Sequence, residues 1–469
     1  MKIKTIDKHL CRTAAGASFL AAFGFFLLAY PYHLMRREQL NLFLYDWSYI
    51  KDTYKGMGWL SRFAGDFVDQ FLCIQVVGPV LIALILTGIG AAMYRICRHG
   101  LGKWPSLGIA AAVFIWAFLR ETGNTYITQY SLAILGYLAL LLLGLQFKKK
   151  WTVAAATVLL LAAGVLTLGR PWHRYYGSIF SAPSLLTEKL IALDINAAEG
   201  DWDKVLELSE KDLHVNIASY YYNLACAEKG IMGDGFFNHS QGSLTSSLFL
   251  WVNQDASQFS NGAAGEVWFR LGDMTQAEQS AVVALQISPK HTGVRFITRL
   301  AEITLIAGED ASAQKYLNML SKTLFYRKWA RERMPGRTSS SAQAWLNEAR
   351  TDLQQDNFVF DTSEAFGDLL KGLVESNPEN LQARQYLLMY DLVYLQLDDF
   401  MKDYSERMIP GAIYQQAVLV WLIRNGMDDE ENFLKYGITE QTLQRLDQFT
   451  LYPERYRNTF WYYFMSMTE

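Results

Sequence analysis

Two kinds of apolar spacing run along this chain of 469 residues, and one gives way to the other near position 180. Before that point apolar residues come in unbroken runs: Ala14–Tyr32, Phe71–Tyr94, Trp104–Leu119, Tyr126–Phe147 and Trp151–Leu168. Crossing about 30 Å of hydrocarbon takes about 17–25 helical residues. Four runs supply that comfortably, and the third offers 16 residues before Arg120. From Ser184 onward the apolar positions fall at helical spacing between short turns. Gly200-Asp201 is followed by Val205, Gly272-Asp273 by Ala277 and Gly308-Glu309 by Ala313, with a further turn expected at Gly233-Asp234. These glycines stand 33, 39 and 36 residues apart, within the range of helical-pair repeats.

The clearest repeat unit runs from Asn261 to Pro289. Gly265, Trp268, Gly272, Ala277, Ala284 and Pro289 stand at the small, aromatic, turn, small, small and proline positions of a tetratricopeptide repeat. Small residues let paired helices approach, Trp268 fills the groove, Gly272 takes the turn and Pro289 ends the second helix. Later helices are expected at Ala311–Tyr326, Ser363–Glu375, Glu379–Leu397, Ile413–Asn425 and Thr439–Phe449. Asn377-Pro378 and Pro410-Gly411 punctuate them. The loop at 334–341 is where the array would divide into two sub-arrays. The aromatic tail Phe460–Phe464 is expected to cap the terminal repeat by burying its rings. The pattern therefore predicts an all-α chain: a polytopic membrane domain over 1–180 and an α-solenoid over 181–469, with no strand.

Charge sharpens that division. Residues 1–180 hold 18 Lys+Arg against 7 Asp+Glu, a net of +11, and the remainder holds 25 against 39, a net of −14. Basic clusters precede the first run (Lys2, Lys4, Lys8, Arg12), separate the second from the third (Arg95, Arg98, Lys103) and separate the fourth from the fifth (Lys148–Lys150). Lys/Arg-rich short loops stay cytoplasmic, so five spans place all three clusters and the amino terminus inside, and the second half outside. Arg120 is expected to snorkel from its short helix to the headgroups. The first run reads as an uncleaved anchor, because Ala29-Tyr30-Pro31-Tyr32 is a poor signal-peptide cleavage site. The acidic second half argues against nucleic acid, since phosphate contacts need the opposite sign.

Chemistry-bearing motifs are scarce. Cys11, Cys73, Cys97 and Cys226 are scattered singly and no histidines pair at ligand spacing, so neither a sequence-local zinc site nor a disulfide within the second half is expected. No phosphate loop, nucleophile elbow or His-Glu-x-x-His helix occurs, and no cofactor is expected. Trp59, Phe63, Phe67 and Phe71 recur every four residues in the first external loop, with Arg62, Asp66, Asp69 and Gln70 opposite, the pattern of a helix lying on the membrane surface. Trp172 and Tyr175 suit the aromatic belt. Asp46, Asp66 and Asp69 in that loop carry the one catalytic alternative, a glycosyltransferase-like enzyme that acts on a lipid-linked substrate through an acidic metal ligand or base.

Taken together, Gly58–Gln70, Tyr221-Tyr-Asn-Leu-Ala225, Leu324-Phe-Tyr-Arg-Lys-Trp-Ala330 and Asn458-Thr-Phe-Trp-Tyr-Tyr463 make the chain resemble an uncharacterised family of Bacteroides-type envelope proteins. That resemblance implies amino-terminal spans in a Gram-negative inner membrane and a periplasmic repeat domain. It implies no activity and no site residues. The expected function is a membrane-anchored scaffold that contacts the lipid bilayer and binds an envelope protein or peptide through its repeat surface.

Overall fold

The computed structural model describes residues 2–123, 128–147, 150–169, 182–209, 215–241, 244–253, 255–354 and 366–468. Helices without any strand make up those residues. The chain forms two compact units that interleave in sequence. The first takes Met1–Ile191, Ser288–Ile297 and Tyr316–Arg331; the second takes the rest, Ala192–Ile287, Thr298–Lys315 and Glu332–Glu469. Residues 181–191 and two short detached stretches, Ser288–Ile297 and Tyr316–Arg331, therefore belong with the apolar amino-terminal part.

The first unit opens with α1 (Lys2–Gly24), which widens into a π-helical turn, Phe25–Ala29, and stops at Tyr30. Pro31 enforces the stop, because its ring cannot follow a helical turn, and it then starts α2 (Pro31–Gln39) at the position that needs no amide donor. The chain continues with α3 (Trp47–Thr53) and α4 (Trp59–Asp69), followed by α5 (Val77–Cys97), α6 (Lys103–Glu121), α7 (Thr128–Gly144) and α8 (Lys150–Leu168). Helix α5 is central, packing on α1, α6 and α7. Its core contains Ile82, Leu86 and Ile89, with Phe26, Tyr30, Leu72 and Ala117 from its neighbours.

Three of these helical stretches, Arg12–Ala29, Val77–Cys97 and Lys150–Leu168, are long and apolar enough to cross a membrane. Thr128–Gly144 is a shorter apolar helix. Helix α6 spans 19 residues but carries Lys103, Arg120 and Glu121. Arg120, expected at a snorkelling position, is 5% exposed. The expected second run also starts later than its apolar residues do. Phe71–Val76 form turns, and at Gly78 a side-chain carbon would lie 2.8 Å from the Leu72 carbonyl oxygen.

The second unit is built from paired helices. In chain order come α9 (Leu185–Glu199, whose first residues belong to the first unit), α10 (Trp202–Ser209), α11 (Asn216–Glu228), α12 (Met232–Gly235), α13 (Leu244–Leu248), α14 (Gln258–Leu271) and α15 (Met274–Ile287). Then follow α16 (Val294–Ile306), α17 (Asp310–Leu320) and α18 (Arg327–Glu332), of which 294–297, 316–320 and 327–331 belong to the first unit, and α19 (Ser340–Ala349), α20 (Phe366–Ser376), α21 (Leu381–Val393), α22 (Leu397–Glu406), α23 (Ala412–Arg424), α24 (Glu430–Lys435), α25 (Glu440–Leu451) and α26 (Phe460–Thr468).

One turn recurs between them. An amide reaches back five residues to a helix carbonyl: Asp201 to Asn196 (2.9 Å), Ile231 to Cys226 (2.8 Å), Asp273 to Trp268 (2.9 Å), Glu309 to Thr304 (2.8 Å), Gln396 to Asp391 (2.8 Å), Met427 to Leu422 (2.9 Å) and Ile438 to Phe433 (2.9 Å). This is the Schellman closure, and it needs a left-handed residue just before the donor. Gly200, Gly230, Gly272, Gly308, Gly426 and Gly437 supply it, and Leu395 does so at φ 56°.

The sequence expectation is corrected in three places. The turn expected at Gly233 is made by Gly230, and Gly233 instead packs inside α12 against the Tyr414 ring. The helix expected over Glu379–Leu397 ends at Val393, and the left-handed Leu395 separates α21 from α22, which starts only at Leu397. The helix expected to reach Tyr326 ends at Leu320, and Ser321–Tyr326 are turns and bends. In the tail, Phe460 and Trp461 are buried; the Phe460 amide and the Trp461 indole both donate to Gln416, at 2.8 and 3.2 Å.

Candidate functional site

Three of the four aspartates of the first loop, Asp46, Asp66 and Asp69, have different surroundings. Asp46 caps α3: its carboxylate accepts the Tyr49 amide at 3.1 Å and the Ser48 hydroxyl, and pairs with Lys322 at 2.7 Å. These partners, Lys322 first, hold the Asp46 carboxyl well below the usual carboxylate range. Asp66 is 2% exposed; it accepts the Tyr54 hydroxyl at 3.0 Å and pairs with Lys290. Lys290 and His291 both adopt left-handed backbone, φ 62° and 52°. Such a conformation in non-glycine residues persists only where surrounding contacts fix it, and here Lys290 ends on Asp66.

Asp69 is 3% exposed, and its Oδ1 has no partner among the described residues. Burial pushes its carboxyl up to about 7, against a hydrogen bond from Thr128 and the nearby Arg37 charge.

Helix α4 turns its small and acidic side inward. Its buried side is Ser61, Gly65, Asp66 and Asp69, while Trp59 and Phe67 are exposed. The small residues decide this. At Gly65 a side-chain carbon would lie 2.6 Å from Gln129 Cβ, so α4 lies directly against α7, and the Ser61 hydroxyl donates to the Leu168 carbonyl at 2.8 Å. Phe63 and Phe67 join a ring cluster with Phe43 (5.6 and 5.8 Å), and Phe71 meets Phe325 at 5.8 Å. Trp172 and Tyr175 lie outside the described residues.

Around Asp69 the unit holds further buried charge that the sequence did not mark as a site. Arg37 pairs with Glu121 at 2.7 Å, and the Ser131 hydroxyl donates to the same carboxylate at 2.8 Å. Glu188 accepts the Tyr32 and His33 amides at 2.6 and 3.0 Å, capping the start of α2 from a distant part of the chain, and burial raises its carboxyl to about 7. Glu38 accepts the Tyr326 hydroxyl at 3.2 Å, and burial raises it to about 8. Burial also holds His33 neutral, well below its usual range. Charges placed two turns from an apolar run were the available signal. Their pairing over 84 to 288 positions was not.

Beside Glu38 lies a cavity of about 20 Å³, which Asn41, Gln70, Phe325 and Tyr326 also line. That is room for about one water molecule. No group of three or more His, Cys, Asp or Glu side chains is arranged to hold a metal ion among the described residues.

In the second unit, the expected repeat positions surround the α14–α15 hairpin. Gly272 closes α14 at φ 94°. At Gly265 a side-chain carbon would lie 2.8 Å from Ser280 Cβ, and Ala277 and Ala284 are buried. Trp268 stacks on Phe249 at 5.0 Å. Helix α15 ends at Ile287, two residues before Pro289. Beside this hairpin is a polar hollow of about 230 Å³ lined by Thr275, Glu278, Thr304, Glu309 and Gln354, with Met274 and Ile303 at its base. Burial raises the Glu278 carboxyl, and the Glu309 charge adds to that shift. The hollow thus has two acidic groups whose mutual repulsion a cation would relieve.

The chain belongs to DUF6057, a family of unknown function whose model matches residues 8–182 and 167–467. No curated protein and no solved structure matches it.

Proposed function

We propose that this chain is a membrane-tethered interaction scaffold of the bacterial cell envelope. Its spans lie in the inner membrane with the amino terminus cytoplasmic. Its helical hairpins stack as a tetratricopeptide-like solenoid in the periplasm and bind an envelope protein or peptide with a basic face. The observation that carries this reading is the acidic hollow beside α14–α15, where Glu278 and Glu309 face a space large enough for a Lys or Arg side chain. The net −14 of the second half gives the same sign over a longer range, which speeds encounter with a basic partner.

Enzyme chemistry through the first loop has weaker support. Asp46 and Asp66 are already paired with Lys322 and Lys290, and the cavity beside Glu38 has no room for a sugar. The test uses the full chain, since segments 288–297 and 316–331 belong to the first unit and an excised second half would lose their partners. A photo-cross-linking residue at Thr275 should trap one envelope protein in intact membranes, and Glu278→Lys with Glu309→Lys should abolish that adduct at unchanged abundance. An adduct that survives both reversals sinks the basic-partner reading. Loss of the cellular phenotype in Asp69→Asn at normal abundance, with no adduct in the native chain, would transfer the argument to the enzyme.

A further inference from the structure

Helices α1, α5 and α6 leave a slot of about 100 Å³ between them. On α5 the lining residues Thr87, Ala91 and Tyr94 fall on one face, at spacings of four and three. Ala110 and Ala111 line it from α6 and Ser18 from α1. Small side chains on all three helices make the gap, and Ala111 is exposed, so the slot opens outward. The Tyr94 side chain is 7% exposed, yet its hydroxyl has no hydrogen-bond partner among the described residues. A buried phenol without an acceptor costs about 1–3 kcal/mol, so the slot is built for an occupant that carries one.

The charges beyond Tyr94 indicate which occupant. Arg95 stands in the last turn of α5, Arg98 follows it, and Lys103 begins α6, whose N-cap residue Gly102 supplies no side-chain acceptor. Hydrocarbon-sized space, a phenol donor and a basic rim thus follow one another along the slot. That is the order of acyl chain, ester and phosphate in a phospholipid, and basic pockets between spans at the cytoplasmic side suit anionic headgroups.

We propose that this slot binds an anionic phospholipid: one acyl chain lies between α1, α5 and α6, an ester oxygen accepts from the Tyr94 hydroxyl, and Arg95 and Lys103 hold the phosphate. The inference rests on the membrane reading given above. The test uses the full chain in dodecyl maltoside micelles doped with phosphatidylglycerol or phosphatidylcholine, with thermal unfolding as the readout. Phosphatidylglycerol should raise the midpoint by several degrees more than phosphatidylcholine, and glycerol 3-phosphate should leave it unmoved. Ala111→Leu, which fills the slot, should remove the difference between the lipids. Tyr94→Phe keeps the shape and should reduce the phosphatidylglycerol shift itself, since the ester contact is lost, so the test survives if the leucine variant fails to fold. Equal shifts with both lipids, a full shift with glycerol 3-phosphate, or an undiminished phosphatidylglycerol shift in Tyr94→Phe overturns the proposal. Release of the native chain from membranes by carbonate without detergent would instead overturn the membrane reading itself.

Discussion

Helix α4 buries one face, whereas α14 is buried nearly all round, mostly through apolar residues with Glu266 paired to Arg299. On α14 the buried residues include Ala263, Ala264, Val267, Trp268 and Leu271, with Gly265 where α15 comes closest. On α4 they are Ser61, Gly65, Asp66 and Asp69, and the aromatic row lies to the side. The α14–α15 hairpin is specified locally, by small residues and a glycine turn within 30 positions. The loop around α4 is specified by ions whose partners lie far away in sequence, as Asp66 with Lys290 and Arg37 with Glu121. Apolar packing tolerates many substitutions of similar volume. A buried ion tolerates almost none, since removing one partner strands the other. The two regions should therefore fail differently under mutation.

The largest effect is expected at the Arg37–Glu121 pair. Glu121 is fully buried and Arg37 nearly so. Arg37→Ala leaves the Glu121 carboxylate without its cation, and loss of one partner of a buried pair costs about 3–5 kcal/mol. The full chain in detergent should show a strongly lowered unfolding midpoint and poor yield, while the double replacement Arg37→Met with Glu121→Leu recovers most of the loss. A midpoint within one or two degrees of the native chain in Arg37→Ala would show that the loop does not depend on this ion pair.

In the hairpin region the sharpest test is Gly272→Ala. The residue adopts φ 94°, and a side-chain carbon there would lie 1.8 Å from the Asp352 carbonyl oxygen. A left-handed non-glycine residue costs about 1–3 kcal/mol, and the 352–354 segment must also shift, because the Gln354 amide donates to the Gly272 carbonyl. Native-state hydrogen exchange should show faster opening at α14–α15 and unchanged protection around α4. Uniform loss across both regions would break the contrast drawn between them.

How much of each region was legible follows from the same difference. The hairpin could be read because its determinants, Gly265, Trp268, Gly272, Ala277 and Ala284, sit at short fixed spacing. The loop could not, because the row Trp59, Phe63, Phe67, Phe71 announces a membrane-surface face and leaves open which neighbour Ser61 and Gly65 pack against. Asp66 and Asp69 were legible as unusual residues in a loop. Their burial depends on Gln129 and Lys290, which no local pattern connects to them. Leu395 was illegible for another reason: its left-handed turn has no glycine to announce it.

The buried carboxyls also make the loop sensitive to pH. Burial raises Glu38 to about 8, from an ordinary carboxylate value near 4 in the unfolded chain. The folded state thus holds a proton that the unfolded state releases. The associated stability is complete below about pH 4 and is lost as pH rises through about 8, at up to about 1.4 kcal/mol per pH unit. Asp69 and Glu188, both near 7, add slope of the same sign over the lower part of that window. Glu38→Gln removes the proton release, so its unfolding midpoint should fall less between pH 5 and pH 9 and should exceed that of the native chain at pH 9. Parallel profiles for the two proteins would show that Glu38 is already ionised in the fold.

The smallest effect is expected at Lys322, and it separates burial from pairing. Lys322 and Lys290 each meet a loop aspartate, but the Lys322 side chain is 49% exposed and its Asp46 partner 23%, whereas Asp66 is 3% exposed. Water solvates Asp46 whether or not Lys322 is present, and its capping bond to the Tyr49 amide remains. Exposed pairs are worth about 0–1 kcal/mol and weaken with salt. Lys322→Ala should accordingly change the midpoint by no more than a degree or two, and the change should vanish in 0.5 M salt. Lys290→Ala should do more, in low and high salt alike, because the Asp66 carboxylate then stays buried with the Tyr54 hydroxyl as its one side-chain donor among the described residues. Equal effects from the two lysines would mean that pairing alone, without burial, holds the loop, and the distinction between the two regions would then rest on sequence distance rather than on desolvation.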